Sequence, residues 1–169
     1  MPFDAFMKLV SAGGQSVAGE SQDATHRNEI ELSGYNVSAV HAVTQTSASG
    51  GAGAGKATFN DFSFTTPVSR VSPLLFQACA QGTRFNEAIV TLRKSGLGGK
   101  AGLEFLKITM GTVLVSHFNT GGATGDDVPH DEVHLSYGKI QFQYVPQRPD
   151  GSPDQPVAGG WDIQKGAPA

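Results

Sequence analysis

The sequence predicts a mainly β domain with one α-helix, curved tightly enough to approach a closed barrel. Three observations carry this. Apolar and polar side chains alternate at period two over most of the chain, the pattern of half-buried strands. Three long alternating runs change phase at a glycine, as strands do where a sheet bends or bulges. Only the segment after Ser72 has the start, stripe and stop of a helix.

In chain order, Phe3 to Val10 is the first strand. Asn28 to Val40 follows, with Ile30 and Leu32 on one face until Gly34, after which Tyr35 and Val37 take the other parity. The strand pattern resumes in ATFNDFSFTT, Ala57 to Thr66. The helix opens with Ser72 as N-cap and Pro73 at its first position. Val71 and Phe76 are placed for a hydrophobic staple. Leu75, Phe76, Cys79 and Ala80 form its apolar stripe, and Gly82 stops it. Arg84 to Arg93 and Leu103 to Phe118 are two strands joined by the turn KSGLGGKAG. The second changes phase at Gly111, between Leu106, Ile108, Met110 and Val113, Val115. The last long strand does so at Gly138, between Val133, Leu135, Tyr137 and Ile140, Phe142, Tyr144. Two segments have no period: Thr44 to Gly55, small and uncharged, and Pro146 to Gly160, which leads to a short closing strand at Trp161. Curvature of this kind belongs to barrels and strongly bent sheets.

Bulk properties narrow the function. The 169 residues suit a single domain, 1–169. Apolar residues are 38% and charged residues 16%, with 22 glycines, so the surface is rich in small polar side chains. Ten phenylalanines argue against a disordered chain. The net charge of −3 is spread without a basic patch, which excludes nucleic acid as the expected partner. One cysteine, Cys79, permits no internal disulfide and suits a reducing compartment. No run approaches the roughly 20 apolar residues that span a bilayer, so no membrane insertion is expected. The N-terminus lacks the apolar stretch of a secretory signal peptide.

Motifs with chemical potential are few. Gly50 to Thr58, GGAGAGKAT, follows G-x-x-x-x-G-K as far as Lys56. Ala57 then stands where a phosphate loop needs a hydroxyl for Mg²⁺, and a strand pattern follows where a helix is required. A connector is the better reading. Asp126, Asp127, His130, Asp131, Glu132 and His134 crowd together, and His130, Glu132 and His134 share a face of an extended strand. They are the material for a divalent ion site, but no second cluster adds ligands, and a solvated loop entering a strand is preferred. Cys79 has no cationic neighbour in sequence to activate it. No catalytic constellation, metal site or cofactor site is expected.

Several strings occur together, in order, over nearly the whole chain: Gly19-Glu20-Ser21, T-H-x-x-E-I-E at Thr25 to Glu31, the Gly/Ala loop ending in Gly55-Lys56, D-F-S-F-T at Asp61 to Thr65, and S-P-L-L-F-x-A-C at Ser72 to Cys79. T-L-R-K (Thr91 to Lys94), V-L-V-S (Val113 to Ser116) and T-G-G (Thr120 to Gly122) follow. Y-x-P-Q-x-x-D-G-S (Tyr144 to Ser152) and G-W-D (Gly160 to Asp162) close the set. In these the chain resembles the Hcp (haemolysin-coregulated protein) family, the tube proteins of bacterial type VI secretion. The resemblance implies two packed β-sheets forming a barrel-like domain with one α-helix. It implies self-assembly into hexameric rings that stack into a tube within a contractile sheath, behind a spike protein, with effector proteins held in the lumen.

The resemblance also assigns sites. The segment 44–56, with Ser47, Ser49, Gly50, Gly51, Gly53, Gly55 and Lys56, is the inter-ring loop, and Asn36 faces the lumen in a Tyr35-Asn36-Val37 string where relatives carry aromatic-Ser-aromatic. The protein is expected to assemble in the cytoplasm and to leave through its own secretion system. The alternative from the residues alone is a monomeric β-barrel binding module for a small ligand or a divalent ion.

Overall fold

The computed structural model describes residues 2–44, 53–96 and 102–169. Eleven strands and one helix follow in order: β1 (Phe3–Ser11), β2 (Ile30–Leu32), β3 (Gly34–Asn36), β4 (Ala39–Thr44), β5 (Gly53–Phe59), β6 (Phe62–Pro67), α1 (Ser72–Gln81), β7 (Arg84–Lys94), β8 (Glu104–Gly121), β9 (His130–Tyr144), β10 (Val157–Asp162) and β11 (Ala167–Pro168). Strand pairing runs β11-β10-β9-β8-β7-β1-β2, with β6 joined to β9 and β3 to β6.

Two layers come from this one network because β8 and β9 serve both. The C-terminal half of β9 pairs with β10, and its N-terminal half pairs with β6. β7 takes the first part of β8, from Glu104 to Leu114. The strands cross between layers at the glycines that the sequence marks. Ile108 and Met110 are buried, then Val113 and Val115; on β9, Leu135 and Tyr137, then Ile140. Register places Thr112 between the pairs Gly111–Lys139 and Val113–Tyr137, so it faces Gly138. Asn86 of β7 faces Thr112 from the other side, and β7 also changes phase there, from Phe85 to Ala88. A crease therefore runs across three strands.

The core between the layers is one cluster. Ala5, Met7 and Leu9 of β1 and Ala88, Val90 and Leu92 of β7 meet Phe62 and Phe64 of β6 and Val133 and Leu135 of β9. Each large apolar side chain fully buried here contributes about 1.5–3 kcal/mol. The two layers pack without closing: among the described residues β2 and β11 end the pairing path and do not meet. The expected barrel-like arrangement of two packed sheets is thus a sheet folded over at the crease, with no strand joining its two edges among the described residues.

Three further expectations change. Asn28 to Val40 is three strands, since β2 pairs with β1 whereas β3 pairs with β6; Ser33 donates its N–H to the Thr65 carbonyl as the chain changes layer. Ala57 to Thr66 is likewise split, into the end of β5 and the start of β6. The helix lies where predicted and Gly82 ends it with φ 66°, but Val71 is the N-cap and no side chain caps it. The Ser72 hydroxyl donates to Asp131 Oδ2 and accepts the Ser69 N–H at 3.0 Å. The buried side of α1 is Leu75 and Ala78, with Cys79 half-buried, whereas Phe76 is 61% exposed and Ala80 faces solvent. Phe76 packs edge-on against Phe118 at 5.8 Å, not against Val71.

A strap before β2 covers the outer side of β1. Gly19 donates to the Asn28 carbonyl at 2.7 Å and Ser21 to that of Glu29 at 3.1 Å. A Cβ on Gly19 would lie 2.3 Å from the Glu29 carbonyl oxygen, so only glycine fits. His26 stacks on Phe6 at 4.5 Å, with Glu29 2.9 Å from one ring nitrogen and Glu104 2.7 Å from the other. The Arg93 guanidinium lies over the Phe6 ring, 5.2 Å from its centroid, and binds Asp23 at 2.6 Å and Asp4 at 3.1 Å.

Candidate functional site

Direct pairing puts four residues in one lateral row on the outer face of the second layer. Asn36 of β3 pairs with Ser63 of β6, Ser63 with His134 of β9, and His134 with His117 of β8. Paired residues project to the same side of a sheet. Alternate positions on these strands, Phe62, Phe64, Val133 and Leu135, fill the core. The hydrophobic side thus fixes which face the polar row occupies.

The row is tightly set. The His117 and His134 rings lie 4.6 Å apart, and His134 Nε2 is 2.9 Å from Glu132 Oε1. Ser116 donates to Asp61 Oδ2 at 2.6 Å and also to the His134 carbonyl at 3.2 Å. Beneath Asp61, Tyr137 donates its hydroxyl to the Asn60 carbonyl at 2.9 Å. Burial, then the nearby Asp61 charge, raises the Tyr137 pKa, so the phenol stays a donor. Asn36 itself is exposed and makes no side-chain hydrogen bond among the described residues.

The second feature is an arm. Among the described residues β4 and β5 pair only with each other, from Ala39–Phe59 to Thr44–Gly53. Val40 is 57% exposed and His41 and Lys56 face solvent. The expected irregular loop is therefore shorter than 44–56: Gly53, Gly55 and Lys56 belong to β5, whose ladder with β4 is made by backbone groups and needs no large side chains. Ser47, Ser49, Gly50 and Gly51 lie outside the described residues.

The model of the family described as "Type VI secretion system effector, Hcp" matches residues 6–144. The chain belongs to the Hcp family of type VI secretion tube proteins. It is 36% identical to protein hcp1 of Pseudomonas aeruginosa (strain PAO1) over 170 residues, covering all of both chains. Among solved structures it is similar to a type six secretion system protein, with TM-score 0.89 and 27% identity over 99% of this chain and 100% of that one. Hcp1 from Salmonella typhimurium superposes with TM-score 0.78 and 28% identity over the whole of both chains.

In this Hcp protein the predicted sites separate. Asn36 lies in the polar row, and the described part of 44–56 lies in the arm. His130, Glu132 and His134 share a face as predicted, but Asp131 turns inward, 1% exposed, to Ser72. Asp126 Oδ2 accepts the Ala123 N–H at 2.9 Å. Among the described residues no group of three His, Cys, Asp or Glu side chains is arranged to hold a metal ion. His117 was not singled out from sequence as a partner of His134, since their register follows from a bulge between Val115 and His117. The signal for the strap was present in T-H-x-x-E, whose spacing sets His26 and Glu29 on each other.

Proposed function

We propose that this Hcp protein is a structural subunit of the type VI inner tube: a single domain, 1–169, six copies of which close a ring. Rings stack through the arm of 44–56, and Asn36 faces a lumen that holds effector proteins. Spike and sheath are its partners in the same system, and it has no catalytic step, metal or cofactor. It assembles in the cytoplasm and leaves by sheath contraction, without a signal peptide. As a type VI secretion protein it is a secreted protein, and no described helix is long and apolar enough to cross a membrane.

The observation that carries the reading is the arm. A two-stranded hairpin without a covering layer is marginally stable in water, and among the described residues this one pairs with no other strand of its chain. A second copy supplies the missing contacts. The ionisable groups with displaced pKa values support the non-catalytic reading. Arg93 holds Asp23 far below the usual carboxylate range and is itself raised by it, and that pair is spent on fixing the strap.

Light scattering on the purified protein tests the assembly, with a hexamer expected. A strict monomer at high concentration would return the reading to a monomeric binding module.

A further inference from the structure

We propose that the outer face of the β3–β6–β9–β8 layer is an acidic contact surface for cargo with a basic patch, and that its histidines loosen this hold when they take up protons. This rests on the reading of Asn36 as a lumen residue and adds the chemistry of what the wall accepts.

Three of the five histidines lie on this face: His117, His130 and His134. Of the others, His26 is buried within the strap and His41 is on the arm. The face carries the carboxylates of Asp61 and Glu132, and the turn next to His130 adds Asp126 and Asp127, all exposed. Against these four stand two cations at the rim: Arg84, paired in register with Leu114 and reaching Thr112 Oγ1 at 3.4 Å, and Lys139, exposed on β9 just past Gly138. β3 and β6 contribute no cation. Beyond the layer, Arg70 precedes α1 and Lys56 sits on the arm. Among the described residues the largest exposed apolar side chain within the face is Leu114, at 37%. Contact is therefore polar and electrostatic, and a basic partner complements it.

Imidazole is the side chain that ordinarily changes charge between pH 5 and 8. With all three neutral, the carboxylates dominate. Each proton added cancels one of them. The groups lie close together: His134 is 2.9 Å from Glu132, and its ring is 4.6 Å from that of His117. A repeated ring multiplies the effect, because every copy contributes the same row.

The test uses assembled rings, verified by mass, and a labelled twelve-residue peptide of alternating Lys and Ser whose charge is constant from pH 5.5 to 7.5. Binding at pH 7.5 is expected to weaken at least tenfold at pH 5.5. H117Q/H134Q should reduce that ratio below threefold. D61N/E132Q should weaken binding at pH 7.5 at least fivefold, whereas D150N/D154N, which removes two carboxylates from the turn after β9, should leave it within twofold. No binding at pH 7.5, no pH effect, a pH effect that survives H117Q/H134Q, or an equal loss in D150N/D154N would each overturn the proposal. The underlying reading fails separately: an Asn36→Gln change that leaves capture of every co-expressed effector unaltered removes the lumen assignment whatever the peptide does.

Discussion

Thr112, with φ at 54°, stands directly opposite Gly138, and a Cβ placed on Gly138 would lie 3.3 Å from the Thr112 Cβ. A β-branched residue in the left-handed region is strained. The pair marks the point where the β8–β9 ribbon passes from one layer to the other, and the strain is held by the packing on both sides.

Gly138→Val is expected to destabilise the fold by about 2 kcal/mol or more, since the added methyls meet Thr112 and the Gln164 side chain. Thr112→Asn, which suits the left-handed region, should raise stability by roughly 0.5–1 kcal/mol. Denaturant midpoints of the two variants moving in the same direction would contradict this account of the crease.

The strap gives a pH dependence. Asp23 has its pKa depressed, first by the hydrogen bond from Arg93. A depressed carboxylate adds stability above its unfolded value, about 4 for Asp, and that stability disappears as pH falls through the folded value. The Tm gap between wild type and Asp23→Asn should therefore hold steady from pH 8 to 5 and narrow below about pH 4. Because Asp23 is partly exposed, the gap corresponds to about 1 kcal/mol. A gap that opens on acidification would be the wrong sign.

Ser72→Ala should cost about 1–3 kcal/mol, because it takes the one donor from a carboxylate buried at 1% exposure. The other oxygen, Asp131 Oδ1, already has no partner among the described residues. If chemical denaturation shows less than about 0.5 kcal/mol, the hydroxyl is not what stabilises Asp131.

Deleting residues 50–55 should leave the number of subunits per ring unchanged and reduce tube length in electron micrographs. The deletion includes the first pairs of β5, so the shortened arm loses the Thr44–Gly53 and Val43–Ala54 ladder positions. Tubes as long as those of the full chain would remove the arm from the stacking contact.

Much of the fold is legible in the chain because burial imposes period two. Ile108, Met110, Val113 and Val115 announce both the strand and its change of phase, and Gly111 and Gly138 announce where. The crease partner Thr112 is not legible, since nothing local marks a threonine for positive φ. Whether the barrel-like sheet closes is not legible for a related reason: phase changes report bending, whereas whether two edges meet depends on partners far apart in sequence. At the site, Asn36 was reached through resemblance. Its row with Ser63, His134 and His117 needs three strand registers and a bulge at Ser116, none of which a single alternating run contains. Helical spacing places Phe76 in one stripe with Leu75, Cys79 and Ala80, but the core needs Leu75 and Ala78 and leaves Phe76 to Phe118.

The sharing of β8 and β9 between layers has a mechanical consequence. An ordinary sandwich can open by sliding one sheet over the other, breaking only side-chain contacts. Here the same hydrogen-bonded ladder continues from Leu106–Tyr144 to Gly121–His130, through the crease and into both layers. A push along the strands is met in shear by many backbone bonds at once, and the layers cannot part without tearing that ribbon. Load along the strands therefore passes through the peptide chain itself.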